Sequence, residues 1–390
     1  MMSTSKPARA SYGTLHELVP TAPVWKVDWQ RIWPLWQHLG ALDSCPQDPH
    51  HHGEGDVGTH TRMVVEALVS LQRWRDLSTR QRSCVFWAAV LHDIGKPATT
   101  SFEENGRISS RGHSRVGARI ARHLLWETGA PFDWREQVCG LIVCHQIPFW
   151  LIEREDCQRQ AIKTSWKCQA DLVCLHAEAD AMGRFCADQR SILDNVALAQ
   201  QLFEENGSLR EPFAFANDES RVAFFEKQDR DPFFEAYESF KCNVTLMSGL
   251  PGAGKDTWIR SNRPDLPVVS LDTVRESMGG RATGNQGRVI QAAYELARSY
   301  LRKGQDFVWN ATNISEQLRG KPIRLFREYG ARVEIVYVEP SLAVLYDQNR
   351  NRSAAIPDTA LTNLVQKLEP PGETEAHEVI RNVEPFDMMS

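Results

Sequence analysis

Apolar residues recur at spacings of three and four through the first half of the chain. Thr59-His-Thr-Arg-Met-Val-Val-Glu-Ala-Leu-Val-Ser-Leu and Ser83-Cys-Val-Phe-Trp-Ala-Ala-Val-Leu-His-Asp are two such runs, and their period predicts helices that bury one face. Residues 14–204 read in this way as an all-helical domain. Trp25, Trp29, Trp33 and Trp36 fall at the same spacing, which favours core packing over a platform for stacking bases.

The pattern changes after residue 204. Glu204-Glu-Asn-Gly-Ser and Phe224-Phe-Glu-Lys-Gln-Asp-Arg-Asp-Pro-Phe-Phe are acidic and polar with aromatics interspersed, and 205–240 is expected to be a linker or connecting helix packed on a neighbour. Short apolar runs follow at Asn243–Ser248, Val268–Leu271, Asp306–Trp309 and Val333–Val338, separated by helical stretches. This alternation predicts an α/β domain with a parallel sheet over residues 241–390. The fold class is thus multi-domain, an all-α unit followed by an α/β unit.

A chain of 390 residues with 42% apolar content has material for two cores. It contains no uninterrupted apolar run of about 18 residues, and its opening MMSTSKPARASYGT lacks the apolar segment of a secretory signal, so the expectation is a cytoplasmic protein without a membrane partner. The nine cysteines form no CxxC pair and are expected to be reduced thiols. The net charge of −5 excludes a strong basic field over the whole molecule, which confines any nucleic-acid contact to a local patch. Arg319, Lys321, Arg324, Arg327 and Arg332 form one basic stretch; a track for a nucleic-acid backbone and a solvated helix face are both open readings of it.

Candidate chemistry is concentrated in two places. In the helical half, His92-Asp93 ends an apolar run and precedes Ile94-Gly95-Lys96-Pro97, a break that presents both side chains at a cleft. His60, His113, His145 and Asp180 stand in helix-compatible contexts around it. Imidazoles with carboxylates suit divalent transition metals of the Mn, Fe, Co, Ni or Zn class, and six such ligands are enough for two ions bridged by a carboxylate. Lys96 is a candidate to neutralise a phosphate oxygen beside them, and His52 a candidate substrate contact.

In the second half, Gly249-Leu-Pro-Gly252-Ala253-Gly254-Lys255-Asp256-Thr257 follows one expected strand and opens a helix. Such a loop turns backbone N–H groups on a β-phosphate, while its lysine reaches the β and γ oxygens of ATP. The usual Ser or Thr after the lysine, a Mg ligand, is Asp256 here, with Thr257 one position on; Asp256 can hold Mg itself or through water. Asp272 and Arg275 share a helix face if a helix starts at Asp272, and a carboxylate there can accept a hydroxyl proton. Asn313 closes Trp309-Asn-Ala-Thr-Asn, and Arg350 and Arg352 precede Ile356-Pro357, a segment able to bring cations to a transferring phosphoryl group.

The order His60, His92-Asp93, His113, His145, Asp180, with Gly95-Lys96 after the pair, resembles the HD phosphohydrolase superfamily over roughly residues 50–185. The resemblance implies one metal on His60, His92, Asp93 and Asp180 and another on Asp93, His113 and His145. The Pro-Gly-x-Gly-Lys loop, Asp272-x-x-Arg275, the Ala-Thr-Asn313 turn and the paired arginines resemble the phage-type 5′-hydroxyl polynucleotide kinase family over nearly all of residues 243–370. That resemblance implies Asp272 as the base on a 5′-OH, Arg275 as a grip on the adjacent phosphate, Arg350 and Arg352 on ATP, and Asn313 near the substrate.

Together the two halves look like the bacterial HD-domain polynucleotide kinases. The implied activities are opening of a 2′,3′-cyclic phosphate by the HD half and phosphorylation of a 5′-OH RNA or DNA end from ATP and Mg by the other. With no Lys-x-Asp-Gly motif in the chain, sealing falls to a separate ligase. An HD nucleotidase fused to a nucleoside or sugar kinase is the alternative, and a regulatory nucleotide-binding module without turnover is a third reading.

Overall fold

The computed structural model describes residues 10–278, 286–352 and 355–383. Between Ala214 and Phe215 the chain divides into two compact units.

The first unit is built on two helices that are apolar all round. Thr79–Leu91 starts where the Ser78 side chain accepts the Gln81 backbone N–H, and every residue from Ser83 to Leu91 is buried. Ala170–Met182 is buried nearly throughout. Helices of this kind occupy the centre of a bundle because no face can be given to water. Val57–Ser70, capped by Asp56 on the Thr59 N–H, His113–Glu127 and Phe132–Cys144 pack around them. Trp25, Trp29, Trp33 and Trp36 lie against this core, and Trp36 meets Trp87 edge-on at 5.8 Å. The tryptophans are packing residues.

One element departs from the all-helical expectation. Ser101–Phe102 (β1) pairs antiparallel with Ile108–Ser109 (β2), joined through Asn105-Gly106 with Gly106 at φ 82°. The Asn-Gly pair is the sequence signal for such a hairpin, but the strands are too short to announce themselves by alternation.

In the second unit β3 (Cys242–Ser248), β4 (Val268–Ser270), β5 (Phe307–Asn310), β6 (Ala331–Glu339) and β7 (Glu378–Val383) form one parallel sheet in the order β4-β5-β3-β6-β7. The four expected strands are present. β7 is additional; as an edge strand it is only half buried, so its apolar signal is weak. The carboxyl ends of β3, β4 and β5 come together, which is where open parallel sheets bind ligands.

The 205–240 segment is shared between the units. Phe213 donates its N–H to Ser165 Oγ in the helical unit, whereas Arg221 of the Asp218–Glu226 helix donates to the carbonyls of Glu373, Ala376 and His377 in the second. The basic stretch is also largely spent internally. Arg319 is fully buried on Glu375 and on the carbonyls of Asn313 and Glu369, Arg327 forks onto Glu219 and Glu226, and Arg332 pairs with Glu378 and Asp218. Reading these three as a nucleic-acid track is corrected: their charges are neutralised by carboxylates distant in sequence. All nine cysteines are free thiols, and among the described residues no helix is long and apolar enough to cross a membrane.

The turn after His92-Asp93 is held by backbone contact. A Cβ on Gly95 would lie 2.2 Å from the His113 carbonyl and 2.5 Å from the Gly117 nitrogen, atoms that cannot swing aside. Gly95→Ala is expected to destabilise the helical unit by about 1–3 kcal/mol through overpacking. Gly320→Ala, on a helix with nothing near the new methyl, is expected to stabilise the second unit by about 0.5–1 kcal/mol. Thermal melts of the two variants should move in opposite directions.

Candidate functional site

Four histidines of the helical unit point the same ring atom inward. His92, His113 and His145 each set Nδ1 against the carbonyl three residues back, Ala89, Ser110 and Ile142, at 2.7 to 2.8 Å. His60 Nδ1 meets the Gly183 carbonyl at 3.2 Å and Glu54 Oε1 at 2.9 Å. A carbonyl only accepts, so each Nδ1 carries the hydrogen and each Nε2 is left as a lone pair.

Those lone pairs face other acceptors. His92 Nε2 is 3.1 Å from Asp93 Oδ2, His113 Nε2 is 3.3 Å from Asp93 Oδ1, and His60 Nε2 is 3.1 Å from Asp180 Oδ1. His60 Nε2, His92 Nε2, His145 Nε2 and Asp93 Oδ1 are buried with no hydrogen-bond partner, and Asp93 Oδ2 has only the Lys96 ammonium beside it. Acceptors opposed at this distance away from water repel unless a cation or proton lies between them. His60, His92 and Asp180 converge closely enough to share one ion, as do His92, Asp93 and His145. The donor set therefore fits a divalent cation.

The structure brings all six expected ligands together and adds residues around them. Lys96 is buried, with Nζ 2.7 Å from Asp93 Oδ2 and 2.6 Å from Gln47 Oε1. Arg184 forks onto Asp180 with three bonds of 2.9 to 3.0 Å. Burial alone would raise the Asp93 and Asp180 carboxyls, but their neighbours, His92 and Lys96 for one and Arg184 and His60 for the other, hold both well below the usual range. Burial pushes His145 well down, keeping it neutral. His60 runs the other way: Asp180 and Glu54 outweigh its burial and raise it, so at this nitrogen a proton and a metal compete.

His52 reaches the cluster indirectly. Its Nδ1 lies 2.8 Å from the same Glu54 oxygen that orients His60, and burial lowers it to about 4. Glu54 and Arg184 escaped the sequence reading. Arg184 stands four residues after Asp180, just past the end of its helix, and Glu54 leads into the His60 helix, but neither spacing distinguishes a site residue from a surface one. His176, given no role by its isolation in sequence, is fully buried one turn before Asp180, its ring 5.5 Å from that of His92, with neither nitrogen hydrogen-bonded. A cavity of about 380 Å³ opens above the cluster, lined by Gln47, His52, Lys96, His113, Trp150 and Arg184.

The second site is the turn after β3. Gly249, Gly252 and Gly254 have φ of 150°, 81° and 100°. A Cβ on Gly249 would lie 2.6 Å from the Val338 carbonyl, so glycine there answers both backbone conformation and space. Gly254 caps the Lys255–Asn262 helix, whose first N–H groups face the loop. Lys255 Nζ folds back onto the carbonyls of Gly249 and Leu250 at 2.8 and 2.9 Å. Its burial lowers it to about 8, with Asp256 and Asp272 opposing that shift and Arg352 adding to it. Asp256 accepts from Asn310 Nδ2 at 2.6 Å, and Thr257 Oγ1 accepts from Arg260.

Asp272 and Arg275 form an ion pair on the Leu271–Ser277 helix, as their spacing predicted. Arg350 is exposed, 3.9 Å from Asp358. Asn313 is buried at φ 45°, and its side-chain amide donates to the Met247 carbonyl while its backbone carbonyl accepts from Ser248 and Arg319. It braces the end of β3 through one of its two amide hydrogens.

Comparison with known proteins divides the chain in the same way. Residues 57–172 match the HD domain family and residues 244–371 the AAA domain family. The chain is 38% identical over 102 residues to the multifunctional CCA protein of Halorhodospira halophila, covering 26% of this chain and 22% of that protein. It is 37% identical over 87 residues to the CC-adding tRNA nucleotidyltransferase of Thermus thermophilus (22% and 19%). It is 36% identical over 118 residues to the A-adding tRNA nucleotidyltransferase of Deinococcus radiodurans (28% and 26%). The chain thus spans about a quarter of the length of these relatives or less. It joins a helical HD domain to an AAA-type P-loop domain whose five-stranded parallel sheet is that of P-loop kinases.

Proposed function

We propose that this chain heals broken nucleic-acid ends, its HD domain opening a 2′,3′-cyclic phosphate and its P-loop domain phosphorylating a 5′-OH from ATP. The observation that carries the reading is the pairing, in one chain, of a buried cation-demanding cluster with a phosphate loop whose lysine feels the Asp272 carboxylate.

In the HD cavity, divalent cations held by His60, His92, Asp93, His113, His145 and Asp180 would activate a water and offset the charge of a phosphate. Two ions suit the six ligands. Lys96 lies beside Asp93, where it can meet a non-bridging phosphate oxygen, and Arg184 holds the Asp180 carboxylate in place. Glu54 fixes the His60 tautomer. The cyclic diester gains one water: a new P–O bond forms, one ring P–O bond breaks, and the released ribose oxygen takes the proton, leaving a monoester. That two of the relatives are tRNA nucleotidyltransferases, as their names state, supports an RNA substrate.

In the P-loop domain, Lys255 must leave the Gly249 and Leu250 carbonyls to reach the ATP phosphates. Asp272 accepts the proton of the 5′-OH as that oxygen bonds to the γ-phosphorus and the bond to ADP breaks. Arg275, already drawn to Asp272, can grip the phosphate next to the 5′ end, and Arg350 and Arg352 supply charge to the transferring group. Asp256 with Asn310 stands where the motif's Mg ligand belongs. Sealing of the healed ends is left to a separate ligase.

The burial of Arg319 and the pairing of Arg327 and Arg332 favour the alternative of a small-molecule kinase, because they remove an electrostatic track for a strand. Arg275→Ala separates the two readings. It should lower phosphorylation of a 5′-OH oligonucleotide by about 10-fold or more, the loss of one charge-assisted contact, and leave a free nucleoside nearly untouched; equal loss on both acceptors would favour the alternative.

The direct test uses one RNA bearing a 5′-OH and a 2′,3′-cyclic phosphate, with both ends of each product identified by mass. His92→Ala/Asp93→Ala should abolish opening of the 3′ end and spare 5′ phosphorylation, and Lys255→Ala should do the reverse. If wild-type protein changes neither end yet consumes free nucleotides or nucleosides, the end-healing reading is wrong.

Because Lys255 sits at about 8, its ammonium form is full below that pH and is lost above it. ATP affinity in the P-loop domain is therefore expected to be flat up to about pH 7.5 and to weaken by up to about tenfold per pH unit above 8, measurable by titration calorimetry.

A further inference from the structure

A second cavity of about 450 Å³ adjoins the one above the HD cluster. The two share Gly112 and Ser114 in their walls, so a chain-like ligand held at the cluster can continue from one into the other. The second is lined by Arg115 from the His113–Glu127 helix, by Gln160, Lys163 and Thr164 from the Cys157–Ser165 helix, and by Lys167 just beyond it. No carboxylate is among its lining residues. Among the described residues Arg115, Lys163 and Lys167 form no ion pair, whereas Arg122, Arg135, Arg154 and Arg184 of the same unit are all matched with acids.

Burial holds Lys163 below the usual lysine range, and its neighbours Arg159, Lys167 and Arg154 lower it further, with Asp156 opposing. A folded protein gains nothing from such repulsion unless an anion relieves it. Lys163 on the Cys157–Ser165 helix and Lys167 two residues past its end line the cavity together with Arg115 from another element, so three cations from two segments border one space.

We infer that this cavity is a phosphodiester track, in which Arg115, Lys163 and Lys167 hold the backbone upstream of the 3′-terminal nucleotide while that nucleotide occupies the HD cavity. The inference rests on the reading of the HD domain as an end-processing hydrolase and deepens it: the substrate is a strand, selected over a mononucleotide. It also relocates the nucleic-acid contact. Arg319, Arg327 and Arg332 of the 319–332 stretch are held in internal ion pairs, whereas Arg115, Lys163 and Lys167 border a cavity next to the HD cluster.

The test compares full-length wild type with Arg115→Ala/Lys163→Ala/Lys167→Ala, loaded with Mn, on a 2′,3′-cyclic mononucleotide and on a hexanucleotide ending in a 2′,3′-cyclic phosphate. Wild type should favour the hexanucleotide. The variant should lose about 10-fold or more of kcat/KM on it, mostly in KM, with the mononucleotide unchanged. Three lost contacts should also flatten the slope of log KM against log salt by about 2 for a single strand. Unchanged hexanucleotide kinetics, or equal loss on both substrates, would overturn the track. If wild type hydrolyses neither substrate, the end-healing reading fails by itself. The track is then decided by fluorescence anisotropy of an unreactive hexanucleotide, where a variant with the wild-type salt slope overturns it and a flatter slope supports it. Retained thermal melting of the variant shows that the fold is intact.

Discussion

The helical unit depends on a conflict that its own atoms leave unresolved. Four imidazoles spend their Nδ1 hydrogens on backbone carbonyls, and three of them, His60, His92 and His113, turn Nε2 lone pairs toward the carboxylates of Asp93 and Asp180. In water such groups would separate or protonate. Here His92 and Asp93 follow the Thr79–Leu91 helix and Asp180 stands on Ala170–Met182, and the core that holds these two helices also holds the ligands in opposition. Hydrophobic packing thereby maintains an electrostatic arrangement that a cation would relieve.

The surrounding charges tune that arrangement. Lys96 and Arg184 keep Asp93 and Asp180 ionised despite burial, while Glu54 and Asp180 raise the hold of His60 on a proton. Both cations also line the cavity, so the groups that stabilise the ligand carboxylates are those an incoming phosphate would meet. The P-loop site is built on the opposite logic. Its one buried charge is Lys255, and backbone conformation does the positioning: three glycines at positive φ, a helix start, and that lysine parked on loop carbonyls until phosphate oxygens replace them.

The six metal-type ligands were legible in the sequence because their chemistry admits few residue types, so His-Asp company stands out even where the helices are ordinary. The P-loop was legible because positive φ and close approach both demand glycine at fixed offsets. β7 was not, since an edge strand buries only half of each residue, and the β1–β2 hairpin was hidden by its brevity despite Asn105-Gly106.

Charge was the least legible property. A run of arginines reads the same whether it faces water or carboxylates, and only the fold placed Glu219, Glu226 and Glu375 against Arg327 and Arg319. The same holds for Glu54, Arg184 and Asn310, polar residues whose roles come from what lies opposite them, and for Asn313, whose motif position suggested a ligand contact but whose amide braces β3. The sequence by itself determined which atoms are able to bind metal and phosphate, because that is a property of side-chain chemistry and local backbone. Which of the charged groups are spent on internal partners and which remain for a ligand was decided by tertiary structure, because neutralisation requires contact within a few ångströms between residues far apart in the chain.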